Sequence, residues 1–311
     1  MDKLMLPPWL QPGDLLKVIA PSGRLLEQDA FWAGVDIWRS QGYRVELTTG
    51  WDTRWGYLAG TDQGRRQALA EAWFDPDCKG ILCARGGYGG MRLLEAWDWK
   101  IDQVTPKWLI GFSDITSLLW SLSTVGIASI HGPVLTTFAA EPNWSKQRLF
   151  DFLVGKPLEP LQGRGWGNGQ VAGVLLPGNL TVATHILKTP LQPDFDNVIL
   201  ALEDVTEAPY RIDRLLTQWR LLGAFEKIKG IALGRFSQCD ELGSADSFRV
   251  LEVLGDRLRD LNIPIVAELP FGHDGVNAAL PVGVPVILDG DRGLLSFPEK
   301  LPPISTASAM G

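Results

Sequence analysis

The segment Trp108-Leu109-Ile110-Gly111-Phe112-Ser113-Asp114-Ile115-Thr116 carries a strand-length apolar run into Gly-x-Ser-Asp and then into the helical pattern of Ile115, Leu118, Leu119 and Leu122. A serine on such a turn projects from the C-terminal edge of a sheet, where open α/β folds bind ligands. The first free amides of a helix lie beside it. Ser113 is therefore either a nucleophile or a helix N-cap. On this segment alone the cap is the simpler account, since serine is a preferred N-cap. The residue three places on is Thr116, however, and not the Glu or Gln that completes a capping box.

A second segment bears on the choice. Gly80-Ile81-Leu82-Cys83-Ala84-Arg85 runs as a short strand into Gly86-Gly87-Tyr88-Gly89-Gly90, before the helical run of Met91, Leu93, Leu94 and Trp97. Glycines let backbone amides approach a ligand and adopt positive φ, as an oxyanion hole of main-chain donors requires. The simpler alternative is a tight turn with no ligand. No Gly-Lys-Ser/Thr follows, and the spacing does not fit a dinucleotide fingerprint, so the loop is a poor nucleotide binder.

A nucleophilic serine needs a base, and the chain has three histidines. His185 falls in the helical stretch Asn179 to Leu187, where a histidine is usually packed or solvated. His131 follows the apolar Ile127 to Ile130 and precedes Gly132-Pro133, a strand-end position suited to a supporting or substrate-side role. His273 follows Ile265-Val266-Ala267 in the loop Glu268-Leu269-Pro270-Phe271-Gly272 and is the preferred base, because chemistry favours loops on a rigid scaffold. The orienting acid is sought at the end of Val198-Ile199-Leu200-Ala201-Leu202, where Glu203 and Asp204 compete. A carboxylate there must be paired or functional, and Arg211 or Arg214 is a candidate structural partner. The order Ser, Glu, His is that of α/β-hydrolases, but Ile115 replaces the last glycine of their Gly-x-Ser-x-Gly elbow, so a different fold is expected.

With these residues in place, the chain resembles the LD-carboxypeptidase family of serine peptidases, the muramoyltetrapeptide carboxypeptidases, over nearly its whole length. Pro12-Gly13-Asp14 with Val18-Ile19-Ala20-Pro21-Ser22-Gly23 is similar to the family's opening strand. Ala84-Arg85-Gly86-Gly87-Tyr88-Gly89 is similar to its glycine loop, and Gly111-Phe112-Ser113-Asp114-Ile115-Thr116 to its nucleophile turn. Gly178-Asn179-Leu180, Leu202-Glu203-Asp204-Val205 and Phe271-Gly272-His273 follow in order. The resemblance implies Ser113 as nucleophile, His273 as general base, Glu203 as orienting acid and the amides of Gly87 and Asp114 as oxyanion donors. It also implies release of terminal D-alanine from murein tetrapeptide, and a homodimer. Arg85 and Tyr88 are candidate substrate-binding residues. Arg85 offers a planar fork for the terminal carboxylate, or else it pairs with a neighbouring acid and braces the loop. Two other readings compete: a microcin C immunity-type peptidase acting on aminoacyl-sulfamoyl nucleotides, for which no inserted aromatic loop is evident, and a non-enzymatic two-domain small-ligand-binding protein.

Composition sets outer bounds. The 311 residues suffice for two domains, and a net charge of -7 without a basic block argues against nucleic acid or an anionic membrane as partner. Cys78, Cys83 and Cys239 are too few for a disulfide framework, and neither Cys-x-x-Cys nor a His-rich cluster suggests a metal, so neither metal nor cofactor is expected. Without a basic leader or long apolar span, a cytoplasmic protein is the expectation.

The elements that must position these residues alternate through the first half: strands at 15–20, 44–48, 80–85, 108–111 and 128–131, and helices at 31–40 and 63–73. This pattern predicts a parallel, flavodoxin-like sheet with helices on both faces. A helix over 147–154 precedes Gly163-Arg164-Gly165-Trp166-Gly167-Asn168-Gly169. Residues 1–154 then form an N-terminal domain, 155–169 a glycine-rich linker permitting domain motion, and 170–311 a smaller α/β domain. That domain has strands near 171–175, 198–202, 230–234 and 265–268, helices near 212–222 and 248–261, a closing hairpin at 285–289 and 293–297, and a disordered tail after Lys300. Nucleophile and amides thus come from one domain, Glu203 and His273 from the other. Of the thirteen tryptophans, Trp51, Trp55 and Trp166 fall in loops and are candidates for substrate contact, each otherwise structural.

Overall fold

The computed structural model describes residues 4–240 and 246–299; the expected tail lies outside the described residues. The first half alternates β1 (Leu15–Ile19), α1 (Gln28–Ser40), β2 (Arg44–Leu47), α2 (Asp62–Trp73), β3 (Cys78–Cys83), the short α3 (Gly90–Leu93), β4 (Trp108–Gly111), α4 (Thr116–Thr124) and β5 (Ser129–His131). β1, β3 and β4 are buried almost throughout. Helices cover both their faces, so they read as continuous apolar runs instead of alternating ones. The strands lie in the order β2-β1-β3-β4-β5, all parallel, which is the flavodoxin-like order. The order reverses between β1 and β3, so a crevice opens at their C-terminal ends, where the glycine loop lies.

After α5 (Leu135–Phe138) and α6 (Asn143–Leu153) the chain builds a second sheet from β6 (Leu161–Gln162), β7 (Arg164–Gly165), β8 (Gln170–Asn179), β9 (Val198–Val205), β10 (Gly230–Ser237) and β11 (Ile265–Ala267). Between these strands lie α7 (Leu180–Ile186), α8 (Pro209–Leu221) and α9 (Val250–Leu258). The chain then returns to the first sheet as β12 (Leu280–Val282), antiparallel to β5, before the hairpin of β13 (Pro285–Asp289) and β14 (Leu294–Ser296) completes the second. β8, β9, β10 and β11 are parallel, with the antiparallel β13, β14 and β6 added on one side and β7 on the other. The lobe expected as the smaller thus carries the wider sheet, because these short edge strands extend it.

Two observations differ from a mobile linker over 155–169. Its glycines serve close approach: a Cβ at Gly163 or Gly165 would collide with the carbonyl oxygens of Ala267 and Gly290, so both hold an edge strand in place. The lobes are also joined a second time through β12, and they share one apolar core, in which Leu118 and Trp120 of α4 pack with Leu176, Leu180 and Trp219. Trp120 donates its indole N–H to Pro177 O at 2.8 Å, and the Asn179 amide donates to Thr116 Oγ1 at 2.9 Å. A continuous core with satisfied polar groups resists hinge motion, because opening it exposes apolar area at about 25 cal/mol per Å².

Candidate active site

Ser113 opens a single 3-10 turn between β4 and α4 and holds φ at 63°. A left-handed non-glycine residue costs about 1–3 kcal/mol and persists only where its surroundings enforce it. The cap reading fails, since no side chain caps either helical segment here. Instead the turn is clamped from outside. The buried Asp114 carboxylate accepts the Ser22 hydroxyl at 2.5 Å and the Gly90 amide at 2.7 Å, which ties together the loops that follow β1, β3 and β4. Burial pushes the Asp114 carboxyl above its ordinary value, with those two donors opposing. On the glycine loop, Gly86 faces the serine so closely that a Cβ there would stand 3.1 Å from Ser113 Cβ and 3.3 Å from its Oγ.

The partner pair comes from the second sheet. Successive residues of β9 point to opposite faces, so Glu203 and Asp204 part company. Glu203, fully buried, accepts from His273 Nδ1 at 2.6 Å. A carboxylate can only accept, so Nδ1 carries the proton and Nε2 is left for other chemistry. Asp204 instead receives the amide and hydroxyl of Thr181 at 2.9 and 2.7 Å, at the start of α7. Asn179, opposite Glu203 across β8 and β9, donates Nδ2 toward Glu203 Oε1 at 3.3 Å and Asp204 Oδ1 at 3.0 Å. Burial pushes the Asp204 carboxyl up, reinforced by the Glu203 charge. For His273, burial works against the imidazolium, but the charge and hydrogen bond of Glu203, helped by Asp204 and Asp274, outweigh it and hold the group above 6.5.

Across the lobes, the ring of Phe112, next to Ser113 in the chain, lies 4.6 Å from that of His273 between centroids. Among the hydrogen bonds of the described residues, none joins Ser113 to His273; such contacts are often loose until substrate arrives. The His273 loop is itself anchored to the first lobe. Gly272 N donates to Asn277 Oδ1 at 3.3 Å, and Asn277 N donates to the buried Glu141 at 2.8 Å. Neither Arg211 nor Arg214 reaches Glu203 or Asp204: Arg211 pairs with Glu207 at 3.7 Å, and Arg214 lies over Tyr210. His131 is completely buried, edge-on to Phe112 and Phe271, and burial drives it down to about 3. A histidine held neutral there, with no hydrogen-bond partner, stands behind the site. His185 sits on α7 with Nδ1 2.7 Å from Thr181 O.

Gly87, at φ 107°, follows Gly86 in the same loop, and Asp114 N belongs to the first turn of a helical segment, where amides lack intrahelical partners. Gly87 borders two cavities. One, of about 440 Å³, is lined by Gly23, Tyr57, Arg85, Gly87 and Tyr88. Arg85 pairs there with Glu27 at 3.2 Å and donates to Arg24 O at 3.1 Å, while Tyr88 packs edge-on to Tyr57 and stays exposed. The other, of about 660 Å³, also touches Asp114 and reaches across to α7. Trp51 stacks on Phe31 and Trp166 lies beneath Arg259, so both are packing residues, whereas Trp55 is half exposed near Arg92. Asn179, Ser22, Glu141, Asn277 and the Asp114 side chain support the site without being candidates in the sequence. Asn179 alone had a local signal, an Asn before a helical run at a strand end.

A strained serine on a strand-to-helix turn and, on the facing lobe, a histidine paired with a buried glutamate lie between two α/β lobes. Family models for the LD-carboxypeptidase N-terminal and C-terminal domains match residues 16–132 and 172–288, and the chain belongs to this family. It is 61% identical to a Synechocystis sp. relative that carries only a provisional carboxypeptidase name, over 93% of this chain and 95% of the relative. It is 35% identical to the murein tetrapeptide carboxypeptidase of Pseudomonas aeruginosa, over 78% and 82% of the two chains. The muramoyltetrapeptide carboxypeptidase structure from Oxalobacter formigenes superposes with a TM-score of 0.81 at 29% identity, covering 90% of this chain and 97% of that one. The microcin immunity protein MccF, bound to glutamyl sulfamoyl guanosine, shares the fold at a TM-score of 0.85 and 23% identity, with 96% and 98% covered. Among the described residues, no helix is long and apolar enough to cross a membrane.

Proposed function

We propose that this carboxypeptidase is serine-type and releases terminal D-alanine from murein tetrapeptide by cleaving the amide that follows the L-centre of its diamino acid. The observation that carries the reading is the 2.6 Å contact of buried Glu203 with His273, beside the turn that holds Ser113 at positive φ. His273 Nε2 takes the Ser113 proton as Oγ attacks the carbonyl carbon, and the oxyanion accepts from the amides of Gly87 and Asp114. The imidazolium, stabilised by Glu203, then protonates the departing nitrogen, and the C–N bond breaks to leave a peptidyl ester on Ser113. Water, deprotonated by His273, hydrolyses that ester and restores the serine. The cavity holding Arg85 suits the small leaving residue, with the guanidinium near its carboxylate, as an exopeptidase requires. The reading places turnover in the cytoplasm, in a homodimer acting on recycled cell-wall fragments.

Incubating the purified protein with murein tetrapeptide, and in parallel with an aminoacyl-sulfamoyl nucleotide, tests this by mass spectrometry. D-Alanine release supports it. Cleavage of the nucleotide conjugate alone refutes it in favour of an immunity-type peptidase, and inertness toward both favours a binding protein.

A further inference from the structure

The cavity of about 660 Å³ is lined by both residues whose amides are assigned to the oxyanion, Gly87 and Asp114, and is walled by the first lobe on one side and α7 on the other. With the Arg85 cavity assigned to the leaving residue under the proposed function, this second cavity beside Gly87 is left for a group on the acyl side of the scissile bond. Its apolar surface comes from Met91, Leu94, Val182 and Leu191, which also pack onto the shared core and so present a fixed wall. Such a wall suits a hydrocarbon arm.

Charge in this cavity is unbalanced. Arg92 is engaged by Asp62, with contacts of 2.6 to 3.1 Å to both carboxylate oxygens. The Asp114 carboxylate is taken up by Ser22 and Gly90. Glu95 is exposed, and among the described ion pairs it has no partner. His185 Nδ1 faces a carbonyl oxygen and so carries the proton in the neutral ring, which leaves Nε2 an acceptor. The cavity thus offers an apolar channel with one uncommitted carboxylate and one acceptor nitrogen.

We infer that this cavity holds the side chain of the residue contributing the scissile carbonyl, and that Glu95 selects a side chain ending in an ammonium on a hydrocarbon arm. The inference rests on the carboxypeptidase reading above and adds to it the residue that sets specificity. The methylenes lie along Met91, Leu94, Val182 and Leu191, and the ammonium donates to Glu95, with His185 Nε2 as a second acceptor. Since Glu95 is solvated, its effect is that of an exposed pair and falls mainly on KM.

The test uses two tetrapeptides that differ only in the third residue, lysine or norleucine, whose side chain keeps the hydrocarbon arm and lacks the ammonium. D-Alanine release by the wild type, Glu95→Gln and Glu95→Lys gives kcat and KM for each. The wild type should prefer the lysine peptide, Glu95→Gln should lower that preference by about two- to fivefold through KM, and Glu95→Lys should lower it further. Turnover of the norleucine peptide should change little in either variant. A wild type indifferent to the substitution, or a preference that survives in Glu95→Lys, overturns the inference and leaves the carboxypeptidase reading standing. No release from either peptide by the wild type overturns both.

Discussion

Gly86→Ala probes how tightly Ser113, the proposed nucleophile, is held. The new methyl would sit 3.1 Å from Ser113 Cβ and 3.3 Å from Oγ, inside the 3.4–4 Å of ordinary van der Waals contact. Ser113 must therefore retreat by a few tenths of an ångström. It cannot do so freely, because Asp114, the next residue in the chain, is fixed by Ser22 and Gly90. A misplacement of about 1 Å can cost about a hundredfold, so a shift of this size should lower kcat by roughly three- to tenfold. Stability should barely move. Gly86 does not occupy the left-handed region, and the loss of unfolded-chain entropy, about 0.4–1 kcal/mol in favour of alanine, offsets the local crowding. The assay is D-alanine release alongside thermal melting, with the rate of Ser113 labelling by a fluorophosphonate probe as a substrate-independent readout. Wild-type turnover and labelling in a fully folded Gly86→Ala protein would refute the claim that Gly86 positions the nucleophile.

Glu203→Gln should lower kcat by about a hundredfold or more, since the imidazole loses the partner that fixes its tautomer. Its kcat/KM should also reach the neutral-base plateau at lower pH than wild type: burial opposes the imidazolium, and the Glu203 interactions that hold His273 above 6.5 are removed. A pH profile with an unmoved acidic limb would contradict this. His131, depressed to about 3 when folded, must charge on unfolding below 6.5, so the wild type loses stability as pH falls from 6.5 toward 3, by about 2 kcal/mol at pH 5. His131→Phe should remove that part of the pH dependence, and urea unfolding at pH 7 and pH 5 checks it. Arg85→Lys should raise KM for the free-acid peptide more than for its C-terminal amide. Equal effects on both would assign Arg85 to bracing the loop through Glu27.

What could be read from the chain was local. Periodicity and the turn residues located β1 through β5 and their helices within a few positions; the apolar runs put Ser113 just past β4 and His273 on the loop after β11, whereas β9 continues through Glu203 to Val205 instead of ending before it. The glycine-rich stretch is ambiguous in sequence, because glycine signals flexibility and close packing alike. Only the carbonyls of Ala267 and Gly290, about a hundred residues away or more, show which applies at Gly163 and Gly165. The return of β12 to the first sheet was invisible for a similar reason: three residues carry no record of which edge they will join. Polar supports such as Asp114 with Ser22, or Glu141 with Asn277, span 92 and 136 positions and have no local signature. The competition between Glu203 and Asp204 turned on a strand's alternation, whose phase is settled only once β8 and β9 are in register.

The central claim is that Ser113 attacks the substrate, and D-alanine release by Ser113→Ala tests it most directly. With folding verified by melting temperature, turnover of murein tetrapeptide should fall by at least about a thousandfold, since loss of the nucleophile disables the whole catalytic unit. Release by Ser113→Ala at a rate near that of the wild type would contradict the account.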